Sequence, residues 1–219
     1  MTTWAIIPVK RLSEAKSSLG EVLGPEQRQR LVLAMLADVM KALHLAPPIA
    51  GTIVVSPDEK VLSFARLHGA EGIAEPGLEL NEALKLAIHH AISESVDSVL
   101  IVPADLPFLK PADIENIVAM ASAPRDVVIA PSKAKGTNAL FLRPPDIIDL
   151  RFGGESFPLH VKEASQAGAK PRIYRSTTTT LDIDKPEDLL KVEMLGLGAR
   201  TREFLRSFTP KTTPARIEG

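Results

Sequence analysis

Residues 8–19 gather cations and hydroxyls in one short stretch. Lys10, Arg11 and Lys16 stand with Ser13, Ser17 and Ser18, and Glu14 is the lone carboxylate. The stretch follows an apolar run, Trp4-Ala5-Ile6-Ile7-Pro8, that reads as a buried strand. It contains neither GxGxxG nor GxxxxGK[ST], so the dinucleotide and P-loop modes of phosphate binding lack their sequence basis. Lys and Arg side chains in such a loop hold a polyphosphate by charge-assisted hydrogen bonds. The alternative is a solvated loop.

Asp105 follows the fully apolar run Val99-Leu100-Ile101-Val102 and lies between Pro103 and Pro107. In an open α/β sheet, ligands bind beyond the carboxyl ends of the strands. An acid there suits a divalent cation, which prefers carboxylate oxygen; a turn-forming Asp is the other reading. Asp182 and Asp184 form a second acidic pair. In a strand over 179–183 the two point to the same face, and with Asp105 they would hold one or two Mg²⁺ ions. Asp184 also fits as the N-cap of a helix begun by Pro186, with Glu187 three residues on.

Two glycine-containing turns complete the polar set: Lys135-Gly136-Thr137-Asn138, and Arg151 to Phe157 with Gly153 and Gly154. The second opens a helix with Ser156 as expected N-cap, and free N–H groups there suit an anion. His160 lies one turn in, facing either that anion or solvent. None of the five His has metal-ligand spacing with another His or a Glu, and no Ser-His-Asp arrangement is suggested.

The elements that must position these residues alternate. Strands are expected at 4–8, 52–55, 72–74, 98–102 and 126–130. Between them helices are expected at 25–43, with Leu31, Met35, Val39 and Leu43 on one face, then at 78–92 and 111–121. Ser56-Pro57-Asp58-Glu59 reads as a capping box with Pro at the first helical position. The order implies an α/β sandwich around a mostly parallel sheet. Further strands are expected at 138–142, 172–174 and 179–183. A helix lies within 153–168 with Phe157, Val161 and Ala164 inward, and another spans 186–195. One domain over 1–206 with a flexible tail at 207–219 fits this pattern. The apolar stretch from Val192 to Phe208 packs either on a partner chain or on its own domain.

Composition narrows the classes. Twenty-six Lys+Arg against 27 Asp+Glu leave a net charge of -1, which argues against nucleic acid as a partner. With no Cys, disulfides, thiolate metal sites and cysteine nucleophiles are excluded. No apolar stretch approaches the ~20 residues of a membrane span, and no signal peptide is apparent. The expectation is a soluble, cytoplasmic protein.

Five segments in order and spacing resemble the 2-phospho-L-lactate guanylyltransferase family of coenzyme F-420 biosynthesis. They are Ile7-Pro8-Val9-Lys10-Arg11-Leu12 with Ala15-Lys16-Ser17-Ser18-Leu19, Pro103-Ala104-Asp105-Leu106-Pro107, Gly136-Thr137-Asn138-Ala139-Leu140, Phe152-Gly153-Gly154-Glu155-Ser156-Phe157 with His160, and Leu181 to Leu189. The resemblance spans about Ile6 to Leu190. It implies a three-layer α/β/α nucleotide-diphospho-sugar transferase (glycosyltransferase-A) fold. It implies attack of the phosphate of 2-phospho-L-lactate on the α-phosphorus of GTP, giving lactyl-2-diphospho-5'-guanosine and pyrophosphate. Relatives that take phosphoenolpyruvate or 3-phosphoglycerate make those the alternative acceptors. The resemblance further implies Asp105, Asp182 and Asp184 as ligands of Mg²⁺ or Mn²⁺, and Lys10 and Lys16 as the triphosphate clamp, with Asp105 catalytic beside them. Pro8, Val9 and Arg11 then contact the nucleotide, Asn81 the guanine, and Thr137, Gly153 and Ser156 the acceptor's carboxylate. A homodimer is implied. A GTP-binding regulatory module without turnover is the competing class.

Overall fold

The computed structural model describes residues 1–196 and 198–207; the end of the expected tail, 208–219, and Leu197 and Phe208 of the apolar stretch lie outside them. Seven strands form one sheet in the order β3-β2-β1-β4-β6-β5-β7. β1 (Thr3–Pro8), β2 (Ile49–Ser56), β3 (Glu71–Ala74), β4 (Ser98–Ile101), β5 (Asp126–Pro131) and β7 (Pro171–Ile173) run parallel, and β6 (Thr137–Arg143) runs antiparallel to both its neighbours.

Successive side chains leave a strand on opposite sides, and both sides are covered here. Ala5, Ile7, Val54, Leu100, Val128 and Phe141 face α1 (Pro25–His44), α2 (Glu59–Leu67) and α4 (Pro111–Met120). Ile6, Ile53, Val99, Ile101, Leu140 and Leu142 face α3 (Leu80–Ser93) and α5 (Ser156–Gln166). That double burial explains why the strands read as continuous aliphatic runs.

The reversal of β6 matters for function. A turn in which Ser132 N–H donates to the Gly136 carbonyl and Gly136 N–H donates to Ser132 Oγ joins β5 to β6. β6 therefore begins, at Thr137, on the edge where the parallel strands end. Thr137 and Asp105 thus come to one edge from opposite chain directions.

Three local expectations are corrected. Residues 179–183 form no strand. The hydroxyls of Ser176, Thr179 and Thr180 bond their own backbone, which competes with ladder formation. A turn runs over 177–179 with a bend at Thr180; beyond it Leu181 and Ile183 are buried, and Ile183 N–H donates to the Asp105 carbonyl at 3.2 Å. The capping of α2 shifts by two residues. Ser56 ends β2, and Asp58 is the N-cap, accepting from Lys60 N–H at 3.0 Å. α6 (Pro186–Leu195) is not capped by Asp184. Asp188 Oδ2 reaches back to the N–H groups of Asp184 and Lys185, which frees the Asp184 carboxylate for other work.

The C-terminal helix α7 (Ala199–Arg206) docks on its own domain. Asp38, buried on α1, accepts from Arg200 N–H at 2.9 Å and from Thr201 N–H and Oγ1, both at 2.8 Å. One carboxylate so satisfies two of the open N–H groups of a helix, 162 and 163 residues away. Phe204 is buried beneath. Asp38→Ala is expected to lower unfolding free energy by about 2 kcal/mol, read as a shift in denaturant midpoint. A shift under about 0.5 kcal/mol would show that apolar packing alone holds α7.

Candidate active site

The loop after β1 is held at several points. Val9 N–H donates to the Val55 carbonyl, extending β1 past its end, and Leu12 N–H donates to Asp58 Oδ2 at 3.0 Å. Leu12, Leu19 and Leu23 are buried anchors. Between them Lys16 takes a left-handed backbone, φ 52°, entering a 3₁₀ turn over Ser17–Leu19. This places the Lys16 ammonium 2.7 Å from Asp105 Oδ2 and 2.7 Å from Asp184 Oδ1. Ser18 Oγ donates to the Asp184 carbonyl, so side chain and backbone of Asp184 are both gripped by this loop.

Lys16 is 11 % exposed, Asp105 26 % and Asp184 57 %. Burial works against the Lys16 charge, but the two carboxylates outweigh it and hold its pKa above the ordinary lysine value. Asp182, half-buried beside them, has its carboxyl pushed up to about 6. Burial is the main cause, and the negative fields of Asp184 and Asp105 add to it. Asp182 and Asp184 thus lie close enough to interact, although no strand holds them.

Asp105, Asp184 and Lys16 border a cavity of about 700 Å³ at the carboxyl edge of β1, β2 and β4, and Asp182 lies outside its lining. Pro8, Val9, Lys10 and Arg11 line it, as do Lys16, Asp105 and Asp184. Glu75, Leu78 and Leu80 close its far end. Asn81 stands outside the lining. Its Nδ2 donates to the Phe152 carbonyl at 3.0 Å and its Oδ1 accepts from Phe152 N–H at 2.8 Å, so both ends of the amide are spent on the 151–155 loop.

Thr137, Ser156 and His160 form a second polar group on the same edge, one strand over and also outside the cavity lining. Glu155, not Ser156, is the N-cap of α5. Ser156 Oγ instead donates to Thr137 Oγ1 at 3.2 Å. His160 is fully buried, not on the surface. Arg151 N–H donates to its Nε2 at 3.0 Å, which leaves Nδ1 to carry the proton and donate to Thr137 Oγ1 at 2.9 Å. Gly153 and Gly154 take φ 124° and 28°, a left-handed path between Arg151 and α5 that disfavours side chains. Asn138 Nδ2 donates to the Thr179 carbonyl, tying the start of β6 to the segment that carries Asp182.

Burial, with the Arg151 cation adding, pulls the His160 pKa down to about 4. Between about pH 6.5 and 4 the unfolded chain then binds the extra proton. Stability contributed by neutral His160 is therefore present above pH 6.5 and lost as pH falls toward 4, by about 3 kcal/mol in all. Wild type is expected to lose more unfolding free energy than His160→Gln between pH 7 and pH 4.5. Equal losses would assign the acid sensitivity elsewhere.

Sequence reasoning passed over two residues of this region. Ser18 hides as a generic loop serine. Glu75, a buried carboxylate one residue past β3, sits where the strand-end rule points.

No group of three or more His, Asp or Glu able to cage a metal occurs among the described residues. Of the three carboxylates expected as metal ligands, Asp105 and Asp184 meet on the Lys16 ammonium. The Lys16 ammonium already marks the point between Asp105 and Asp184 where positive charge is stabilised.

Among solved structures, the fold matches a Desulfovibrio desulfuricans protein described as a nucleotide-diphospho-sugar transferase. The TM-score is 0.77 at 20 % identity, covering 94 % of this chain and 95 % of that one. A phosphoenolpyruvate guanylyltransferase from Rubrobacter xylanophilus is 42 % identical, over 90 % of this chain and 96 % of its own. A 2-phospho-L-lactate guanylyltransferase from Methanothermobacter thermautotrophicus is 41 % identical, over 99 % of this chain and 95 % of its own. The family model described as "Guanylyl transferase CofC like" matches residues 3–217. The chain belongs to that family of guanylyl transferases and is a nucleotidyltransferase.

Proposed function

We propose that this protein condenses GTP with 2-phospho-L-lactate, giving lactyl-2-diphospho-5'-guanosine and pyrophosphate, as a step of coenzyme F-420 biosynthesis. The observation that carries this reading is the Lys16 ammonium held between Asp105 and Asp184 on the wall of a cavity lined by Lys10 and Arg11. Near-equal identity to a relative named for phosphoenolpyruvate supports a second reading with that acceptor. Both acceptors are three-carbon acids with a phosphate on carbon 2. We read the working form as a cytoplasmic homodimer. Leu190, Met194 and Leu195 on α6 are exposed apolar residues suited to such a contact.

A phosphate oxygen of the acceptor attacks the α-phosphorus of GTP. A new P–O–P bond forms, the bond from the α-phosphorus to its bridging oxygen breaks, and pyrophosphate carries away the electron pair. The nucleophile is already anionic, so no strong general base is needed, and none of the His is placed as one. What the reaction needs is alignment and relief of repulsion between two anions. Lys10 and Arg11, exposed on the cavity wall, attract and orient the triphosphate. Lys16, fixed by two carboxylates, offers positive charge at a set point. Asp105 and Asp184, with Asp182 beside them, would hold Mg²⁺ or Mn²⁺, which supplies Lewis-acid stabilisation of the developing phosphate charge. Thr137, Gly153 and Ser156 receive the acceptor's carboxylate. Thr137 Oγ1 accepts from both Ser156 and His160, so its own hydrogen is left to donate to an anion.

The test is pyrophosphate release with Mg²⁺, GTP and 2-phospho-L-lactate, beside phosphoenolpyruvate, 3-phosphoglycerate, an ATP control and a chelator control. Release requiring GTP, phospholactate and metal supports the main reading. Release only with another acceptor moves the acceptor and keeps the chemistry. No release with any acceptor, in protein that binds GTP, makes the chain a GTP-binding module.

A further inference from the structure

We propose that Glu75 reads the N1–H and N2 amino edge of guanine and so selects GTP over ATP. This rests on the reading that the cavity takes a nucleoside triphosphate. The Glu75 backbone is pinned, because its N–H donates to the Ser56 carbonyl at the end of β2. The residue is 8 % exposed, yet it lines the cavity. Oε2 accepts from Gly77 N–H and Leu78 N–H, in a turn that Gly77 makes with φ 86°. Among the described residues, Oε1 has no hydrogen-bond partner. Oε1 is not one of the buried atoms left without a partner; it opens into the cavity, where an entering donor can reach it.

Position and chemistry agree. With the strand order β3-β2-β1-β4, Glu75 stands three strands from Asp105, a span of about 14 Å. The triphosphate end of the cavity is the Lys16 end, so the base falls toward β3. A carboxylate only accepts hydrogen bonds. Guanine presents two donors on one edge, N1–H and the N2 amino group. Adenine presents an acceptor at N1 and no amino group at C2, so it would meet the carboxylate with like partial charge. The other acids on the cavity wall are committed or exposed. Asp105 and Asp184 hold Lys16, and Glu14 and Glu79 are open to solvent. Asn81, the residue the resemblance put beside the base, lies outside the cavity lining with both amide atoms bonded to the Phe152 backbone.

Glu75→Gln is the informative change. Its carbonyl oxygen can still accept from Gly77 and Leu78, so the turn keeps its acceptor. Its NH₂ then replaces the free acceptor and faces the guanine donors. Equilibrium binding of GTP, ITP and ATP, with Mg²⁺ and without acceptor, separates the roles. Wild type is expected to bind GTP at least about 100-fold tighter than ATP. ITP, which keeps N1–H but lacks the amino group, falls between them. Glu75→Gln is expected to weaken GTP by about 100-fold and leave ATP unchanged or tighter. Glu75→Asp, which keeps the acceptor, should preserve the order of preference. Equal weakening of all three nucleotides in Glu75→Gln would reduce Glu75 to a turn cap, and an unchanged ratio would overturn the proposal outright. Selective GTP binding that Glu75→Gln abolishes, in protein that releases no pyrophosphate, would sink the transfer reaction while the assignment of Glu75 stands.

Discussion

Asp105→Asn is expected to lower pyrophosphate release by about a thousandfold with little change in fold. The two consequences separate because of where Asp105 sits. Its backbone carbonyl, untouched by the substitution, carries the bond to Ile183 N–H that holds the acidic segment in place. Its side chain is a quarter exposed and contacts Lys16, which keeps Asp184 as a partner. The unfolding midpoint should therefore move by less than about 1 kcal/mol equivalent. The amide loses the charge that would attract a divalent cation, so the Mg²⁺ concentration for half-maximal activity should rise. Near-normal turnover with unaltered metal dependence would remove Asp105 from the machinery.

Lys16→Ala carries the second large effect, about a thousandfold in kcat/KM for GTP. The change removes a positive charge at 2.7 Å from two carboxylates. Asp105 and Asp184, with Asp182 beside them, then face one another with no cation between them, and only Lys10 and Arg11 are left on the cavity wall to meet the triphosphate. Asp182, already raised to about 6 by burial and its acidic neighbours, should rise further. The metal requirement should move opposite to that of Asp105→Asn. With the competing ammonium gone, less Mg²⁺ should be needed for half-maximal residual activity. Lys16→Arg should recover only part of the loss, because a planar fork does not occupy the point between the two carboxylates as a compact ammonium does. Full activity in Lys16→Ala would show that the bridge only holds the loop. A fall in kcat/KM with a raised metal requirement would mean that Lys16 positions the carboxylates and does not compete for them.

The sequence by itself determined the α/β class, the runs that became β1, β2, β4 and β5, and the apolar face of α1. Each follows from local periodicity and from burial on both faces of a sheet. It also determined that Asp105 lies just beyond a strand and that a cationic loop follows β1, because strand ends can be counted along the chain. The tertiary structure alone decided which charges meet. Lys16 and Asp184 are 168 residues apart, and no spacing rule relates residues at that separation. Their meeting depends on Asp188 taking over the cap of α6 and on a left-handed backbone at Lys16. His160 looked equally suited to the surface because periodicity does not reveal that Thr137 and Arg151 fold over it. The pairing of the Asn81 amide with the Phe152 backbone, 71 residues on, was hidden for the same reason. A side chain's type states what it can bond to, but only packing decides whether those bonds are already made.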